Sequence, residues 1–315
     1  MRVLVAGATG AVGRALVPEL LRRGHEVVGT TRNPGKAPVM GAPLVRMNGL
    51  DEAEVLSAVR KVKPDAIVHQ MTSLTNVKDL KHLDKEFEPT NRLRTLGTRF
   101  LLAAARQART RHFVAQSFTG WPNARAGGPI KTEADPLDPT PPPAMRQTLN
   151  AIRELEQTVL EITDLHAVAL RYGAFYGPGT SIASGGDVVE MVRQRRLPIV
   201  GDGGGVWSFI HIADAATATA NAIEGGPSGL YNIVDDEPAP VRVWLPELAV
   251  ILGAQPPRHV PTWIARWLIG ESGVSMMTKI RGSSNEKAKR LLGWTPANCT
   301  WRDGFRRELG NLESR

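Results

Sequence analysis

The stretch Met1-Arg-Val-Leu-Val-Ala-Gly7-Ala-Thr9-Gly10-Ala11-Val12-Gly13 runs from an apolar strand through three glycines, each three residues apart, into a helix. One glycine allows the tight bend, one lets backbone approach a phosphate, and one lets helix and strand pack closely. Val12, Leu16 and Leu20 recur at helical spacing, Gly24 follows as a C-cap, and Glu26-Val-Val-Gly-Thr30 reads as the next strand. The pattern predicts a βαβ start whose turn cradles a nucleotide pyrophosphate on a helix N-terminus.

After the second strand the chain reads Thr30-Thr31-Arg32-Asn33-Pro34-Gly35-Lys36. Folds selective for NAD place a carboxylate here to receive the ribose 2′-hydroxyl, and a carboxylate would repel a 2′-phosphate. Arg32 offers a flat guanidinium to stack on adenine and bond that phosphate, with Thr31 and Lys36 as helpers, so NADP(H) is favoured over NAD(H).

Further strands are expected at Asp65–His69, His112–Ser117 and His166–Arg171, alternating with helices near Asn91–Arg109 and Arg146–Glu161. That alternation predicts a doubly wound, parallel Rossmann-type α/β sheet, over residues 1–175. Residues 176–315 read as a smaller substrate lobe, some of whose segments return to the core. Between Trp121 and Pro143 lies a Gly- and Pro-rich loop expected to be irregular and to border a ligand site. Trp263 and Trp267, four apart on a helix, read as lobe core ahead of a subunit contact.

The chain has 315 residues and a formal charge of +8, from 39 Lys+Arg against 31 Asp+Glu. The basic residues are scattered, so nucleic acid, which wants a basic stripe with interleaved aromatics, is not an expected partner. The one cysteine, Cys299, excludes an internal disulfide and offers no metal set. No apolar run of about 18 residues could span a bilayer. A cytoplasmic protein with a small-molecule substrate is expected, with a homodimer left open.

With these residues in hand, the chain resembles the extended short-chain dehydrogenase/reductase superfamily, which includes nucleotide-sugar epimerases and dehydratases. The resemblance runs nearly end to end. It is carried by Gly7 to Gly13; Asn48 to Asp51; Pro64 to His69; Thr90-Asn91; Thr132-Glu133; Leu170-Arg171-Tyr172-Gly-Ala-Phe-Tyr176-Gly-Pro-Gly179; Phe209-Ile-His211-Ile-Ala-Asp214; and Ser284-Asn285 to Trp294. It implies cofactor contacts from Gly7, Thr9, Gly10, Ala11, Val12, Gly13, Thr31, Arg32, Lys36, Asn48, Met71, Asn91 and Tyr172.

The resemblance also implies a Tyr that passes a proton, a Lys four residues on that lowers its pKa and holds the nicotinamide ribose, and a Ser or Thr that orients the substrate oxygen. This chain has no Tyr before Tyr172 and no Lys between Lys131 and Lys279. Aligned on Glu156, Thr148 stands at the Tyr position and Ile152 at the Lys position. Ser117 or Thr119 could supply the hydroxyl, although the best register puts Phe118 there.

Three functions fit this pattern. The first is an NADP(H)-dependent oxidoreductase or epimerase-like enzyme acting on a small carbonyl, hydroxyl or sugar-type substrate. Its proton donor would be non-standard, with Tyr172 preferred to Tyr176 and His211. The second is an NADP(H)-binding sensor without turnover, and the third a redox-neutral isomerase or lyase.

Overall fold

The computed structural model describes residues 1–35, 41–74 and 79–310, so the expected helper Lys36 lies outside the described residues. Its centre is built from β1 (Arg2–Ala6), α1 (Ala11–Arg22), β2 (Glu26–Thr31), β3 (Leu44–Arg46), α2 (Glu52–Val62), β4 (Ala66–His69), α3 (Thr98–Ala108), β5 (His112–Phe118), α4 (Arg146–Leu160), β6 (His166–Tyr172), α5 (Ile212–Glu224) and β7 (Gly229–Ile233). The seven strands form one sheet in the order β7-β6-β5-β4-β1-β2-β3. Every pairing is parallel, with Val3 opposite Ala66 on one side of β1 and Val27 on the other. This is the Rossmann-type order.

The strands read as near-continuous apolar runs because both faces are covered. On one face Val3, Val5, Val68, Val114 and Leu170 pack beneath α1 and α5. On the other, Leu4, Ile67, Phe113 and Ala169 meet α2, α3 and α4. The chain leaves the sheet after Tyr172 and returns to it, for α5 and β7 both lie beyond residue 175. Strand order reverses between β1 and β4, which opens a crevice at the carboxyl edge where ligands of open α/β sheets bind.

The C-terminal lobe closes around an aromatic core of Tyr176, Phe209, Trp244, Trp301 and Phe305. Short strands tie the two parts together. Phe209–His211 pairs with Ala174–Tyr176, and Gly282–Ser283 with Ile130–Lys131. The loop from Trp121 to Pro143 is irregular over most of its length, as expected, apart from Ile130–Lys131, to which the C-terminal segment offers a partner strand. Trp263 and Trp267 depart from expectation, at 71% and 76% exposed. Gly270 breaks their helix with φ 72°, and the tryptophan face of the first half points outward. No helix among the described residues is long and apolar enough to cross a membrane.

Candidate active site

The glycine turn forms a cradle that fits a pyrophosphate. Gly7 adopts φ +93°, and a Cβ there would stand 2.7 Å from the Gln70 carbonyl at the end of β4. A Cβ on Gly13 would lie 2.4 Å from the Gly7 oxygen. Helix α1 has no side-chain cap at Gly10 and no acidic residue in its first turn, whereas α2 is capped by Asp51 and followed by Glu52 and Glu54. The first amides of α1, those of Ala11, Val12 and Gly13, are thus free for an anion, and the helix dipole favours one there. Thr9 and Gly10 form the rim.

Arg14 completes this rim, and the sequence reading missed it. It is exposed on the first turn of α1 and its Nε donates to the Thr9 carbonyl at 3.0 Å. A cation near a helix N-terminus opposes the dipole, and that mismatch is the signal by which Arg14 could have been found. At the end of β2, Arg32 is exposed and Thr31 half-buried, with the Thr31 hydroxyl accepting from the Asn33 amide. Asn48 turns its Oδ1 to the Leu50 amide, shaping the loop after β3, and Met71 packs against Gly49.

Beyond β4 the arrangement differs from what the resemblance implies. Thr148 and Ile152 are both fully buried on α4. The Thr148 hydroxyl donates to Asp84 Oδ1 at 2.7 Å and accepts from Asn91 Nδ2 at 3.0 Å. Its proton is committed, so it has none to give a substrate. Asp84 also takes the amides of Gln147 and Thr148, which caps α4 from a neighbouring segment and explains its start without a local cap. Asn91 spends its amide on Thr148 and Arg94, so its expected cofactor contact is replaced by a structural one.

The expected catalytic residues do not meet in one place. Ser117 is buried and donates to Glu156 Oε1 at 2.6 Å, and Glu156 is held in a two-pronged ion pair by Arg171 at 2.7 and 2.6 Å. Thr119 is buried against Asn123 and Ser283, 2.6 Å from the Ser283 hydroxyl. Both hydroxyls are buried and hydrogen-bonded in the interior.

Tyr172 is fully buried on the α1 and α5 face of the sheet. Thr219 donates to the Ala215 carbonyl, so the Tyr172 phenol donates to Thr219 at 2.6 Å and accepts from Gln70 Nε2 at 3.1 Å. Burial pushes its pKa up to about 12, its two hydrogen bonds opposing the rise. Both the proton-donor role and the direct cofactor contact expected of Tyr172 are corrected by this geometry. Tyr172→Phe should leave kcat within about twofold of wild type and cost about 1 kcal/mol of stability, read by urea unfolding. A collapse of kcat with unchanged stability would restore the phenol to the chemistry.

The remaining candidates are no better placed: the Tyr176 hydroxyl is buried without a hydrogen-bond partner among the described residues, and the two histidines are held by neighbours. Tyr176 is fully buried, and burial raises its pKa. His211 accepts the Ala213 amide at the start of α5, and its Nε2 lies 3.2 Å from Glu308. His69 is a core histidine: its Nδ1 accepts the Met71 amide, its Nε2 donates to the Leu93 carbonyl at 3.1 Å, and burial lowers its pKa to about 4.

What remains beside the α4 end of β5 is an apolar wall. Leu83, Trp121, Met145, Leu149, Ile152 and Ile280 form a buried cluster, with Phe118, Trp207 and Met276 packed on it and partly accessible. The Phe118 and Trp121 rings lie 6.3 Å apart. The crevice thus joins a phosphate-binding turn to an aromatic wall.

A glycine cradle at the switch point of a doubly wound sheet is the arrangement of Rossmann-type dinucleotide-binding proteins. The chain belongs to the NAD dependent epimerase/dehydratase family, whose model matches residues 3–233. It is 42% identical, over 98% of its own length and 100% of the relative's, to a Streptomyces protein named 3-diazoavenalumate denitrifying reductase. It is 26% identical to a UDP-glucose 4-epimerase of Mycolicibacterium smegmatis, over 94% of each chain. Among solved structures, the Thermus thermophilus UDP-glucose 4-epimerase in complex with NAD superposes with a TM-score of 0.77 at 25% identity, covering 100% of this chain and 99% of that one. A human epimerase family protein with NADPH gives a TM-score of 0.78 at 20% identity, covering 99% of this chain and 100% of that one. The protein is an enzyme of the reductase and epimerase type with a nicotinamide cofactor, which sets the sensor reading aside.

Proposed function

We propose that this enzyme is an NADPH-dependent reductase that delivers hydride to an aromatic diazonium compound, releasing dinitrogen. The observation that carries the reading is the state of α4. Where a carbonyl reductase needs a proton donor, the Thr148 hydroxyl is engaged as a hydrogen-bond donor to Asp84 and Ile152 has no proton to offer. Reducing a ketone creates an alkoxide that must be protonated. Reducing a diazonium does not.

Bound NADPH would supply the hydride. A C–H bond forms at the carbon that bore the diazonium, the C–N bond breaks, and its electron pair leaves with neutral dinitrogen. The diazonium substrate is reduced by two electrons and the nicotinamide oxidised by two, with no proton to place. The residues of this chain bind, orient and exclude water. The partly accessible rings of Phe118 and Trp207 suit a flat, electron-poor ring, since aromatic quadrupoles attract cations. The name of the Streptomyces relative, 3-diazoavenalumate denitrifying reductase, supports the same chemistry.

The test mixes purified enzyme with a carboxylated arenediazonium salt and NADPH deuterated on either face at C4. Enzyme-dependent release of dinitrogen, with deuterium at the former C–N carbon from one face only, is the expected result. Rates equal to the enzyme-free control, alongside NADPH oxidation by ketones, would return the site to carbonyl reduction. Cofactor choice is read separately. Arg32→Glu should weaken NADPH by about 10- to 100-fold and NADH by less than twofold, because it replaces a charge-assisted phosphate contact with repulsion. Equal losses for both would remove Arg32 from 2′-phosphate recognition.

A further inference from the structure

We propose that Arg94 holds the nicotinamide-side ribose of the bound cofactor, a contact to its hydroxyl oxygens made by a cation presented opposite Ile152. The inference rests on the dinucleotide cradle and stands whatever the substrate proves to be.

Arg94 is only 5% exposed. Of its five N–H groups, one reaches a protein acceptor among the described residues, Asn91 Oδ1 at 3.3 Å, and the guanidinium lies 5.9 Å from the Phe87 ring. The carboxylate of Glu156, whose charge it feels, is already filled by both prongs of Arg171 and by Ser117. A buried guanidinium with so few acceptors is costly unless something else accepts from it. Burial lowers its pKa to about 10, which still leaves it charged at neutral pH.

The backbone is arranged to put it there. Leu93–Gly97 is a π-helical turn between Glu88–Arg92 and α3, a rare distortion that is frequent at functional sites. His69, the last residue of β4, fixes that turn by its bond to the Leu93 carbonyl. Thr148, Ile152 and Glu156 follow each other at four-residue spacing along one face of α4. Asn91 bonds both Thr148 and Arg94, and Arg94 feels Glu156, so the guanidinium is bracketed by the helical turns on either side of Ile152.

A dinucleotide with its pyrophosphate on Gly7–Gly13 and its adenosine beside Arg32 extends its other half across β4 towards β5. The turn that carries Arg94 is tied to the end of β4 through the His69–Leu93 bond, on the side the proposal assigns to that half. The vicinal oxygens of a ribose suit a planar fork of donors, which a point-charged ammonium matches less well.

Fluorescence titration of wild type, Arg94→Met and Arg94→Lys with NADPH, NADH and the adenine-half fragments 2′,5′-ADP and ADP tests this. For whichever dinucleotide binds more tightly, Arg94→Met should weaken binding at least tenfold, with its matching fragment unchanged and Arg94→Lys intermediate. The unchanged fragment also reports a folded cradle. Dinucleotide binding within twofold of wild type in Arg94→Met overturns the proposal. So does an equal loss for dinucleotide and fragment, which would mark Arg94 as a structural residue.

Discussion

Glu156→Gln is expected to destabilise the protein by about 3–5 kcal/mol, the usual cost of breaking a buried ion pair by removing one partner. The Glu156 and Arg171 side chains are 4% and 5% exposed, and the carboxylate accepts from Arg171 twice and from Ser117 once. The amide keeps the shape but leaves Arg171 without its counter-ion and Arg94 without the nearest negative charge. Urea unfolding of the single and double variants separates the contributions. Because both charges then vanish together, Glu156→Leu with Arg171→Met should cost less than Glu156→Gln alone. Ser117→Ala, which removes one charge-assisted hydrogen bond, should cost about 1.5–3 kcal/mol. A Glu156→Gln protein within about 1 kcal/mol of wild type would show that water reaches the pair.

The second large effect is expected at the cradle. Gly13→Val should reduce cofactor affinity by about 100-fold, since overpacking strain of about 1–3 kcal/mol would fall on the turn that binds the pyrophosphate. The new Cβ would meet the Gly7 oxygen at 2.4 Å and the Ala8 backbone at 2.6 Å, and neither can move without opening the turn that holds the pyrophosphate. Gly24→Ala is the control. Its site has nothing within 4 Å, so strain at φ +81° remains as the cost and the cradle is untouched. Calorimetric titration with NADPH should therefore separate the two variants, and similar affinities would mean that the phosphate does not sit on this turn.

The glycine spacing, the apolar strands and their alternation with helices made the sheet legible because each reports local geometry. Gly7 to Gly13 encode a turn within a few residues, so the shape of the cradle could be read along the chain. The missing Tyr and Lys were legible for the same reason. Other readings failed where a partner distant in sequence decided the matter. Tyr172 looked available at the end of β6, but Thr219 and Gln70 close over its phenol. Ser117 looked like a catalytic hydroxyl, but Glu156 takes it. Asn91 looked like a cofactor ligand, but its amide bridges Thr148 and Arg94.

The sequence by itself determined the doubly wound class, the glycine turn and the absence of Tyr and Lys from the Arg146–Glu161 segment, since periodicity and a missing side chain need no third dimension. Only the tertiary structure decided which polar groups are spent and which remain for a ligand. A hydroxyl or guanidinium has the same chemistry in every sequence, and its availability depends on whether burial has given it a partner. Thr148 found Asp84, Tyr172 found Thr219, and Arg94 kept most of its donors unpaired in the interior.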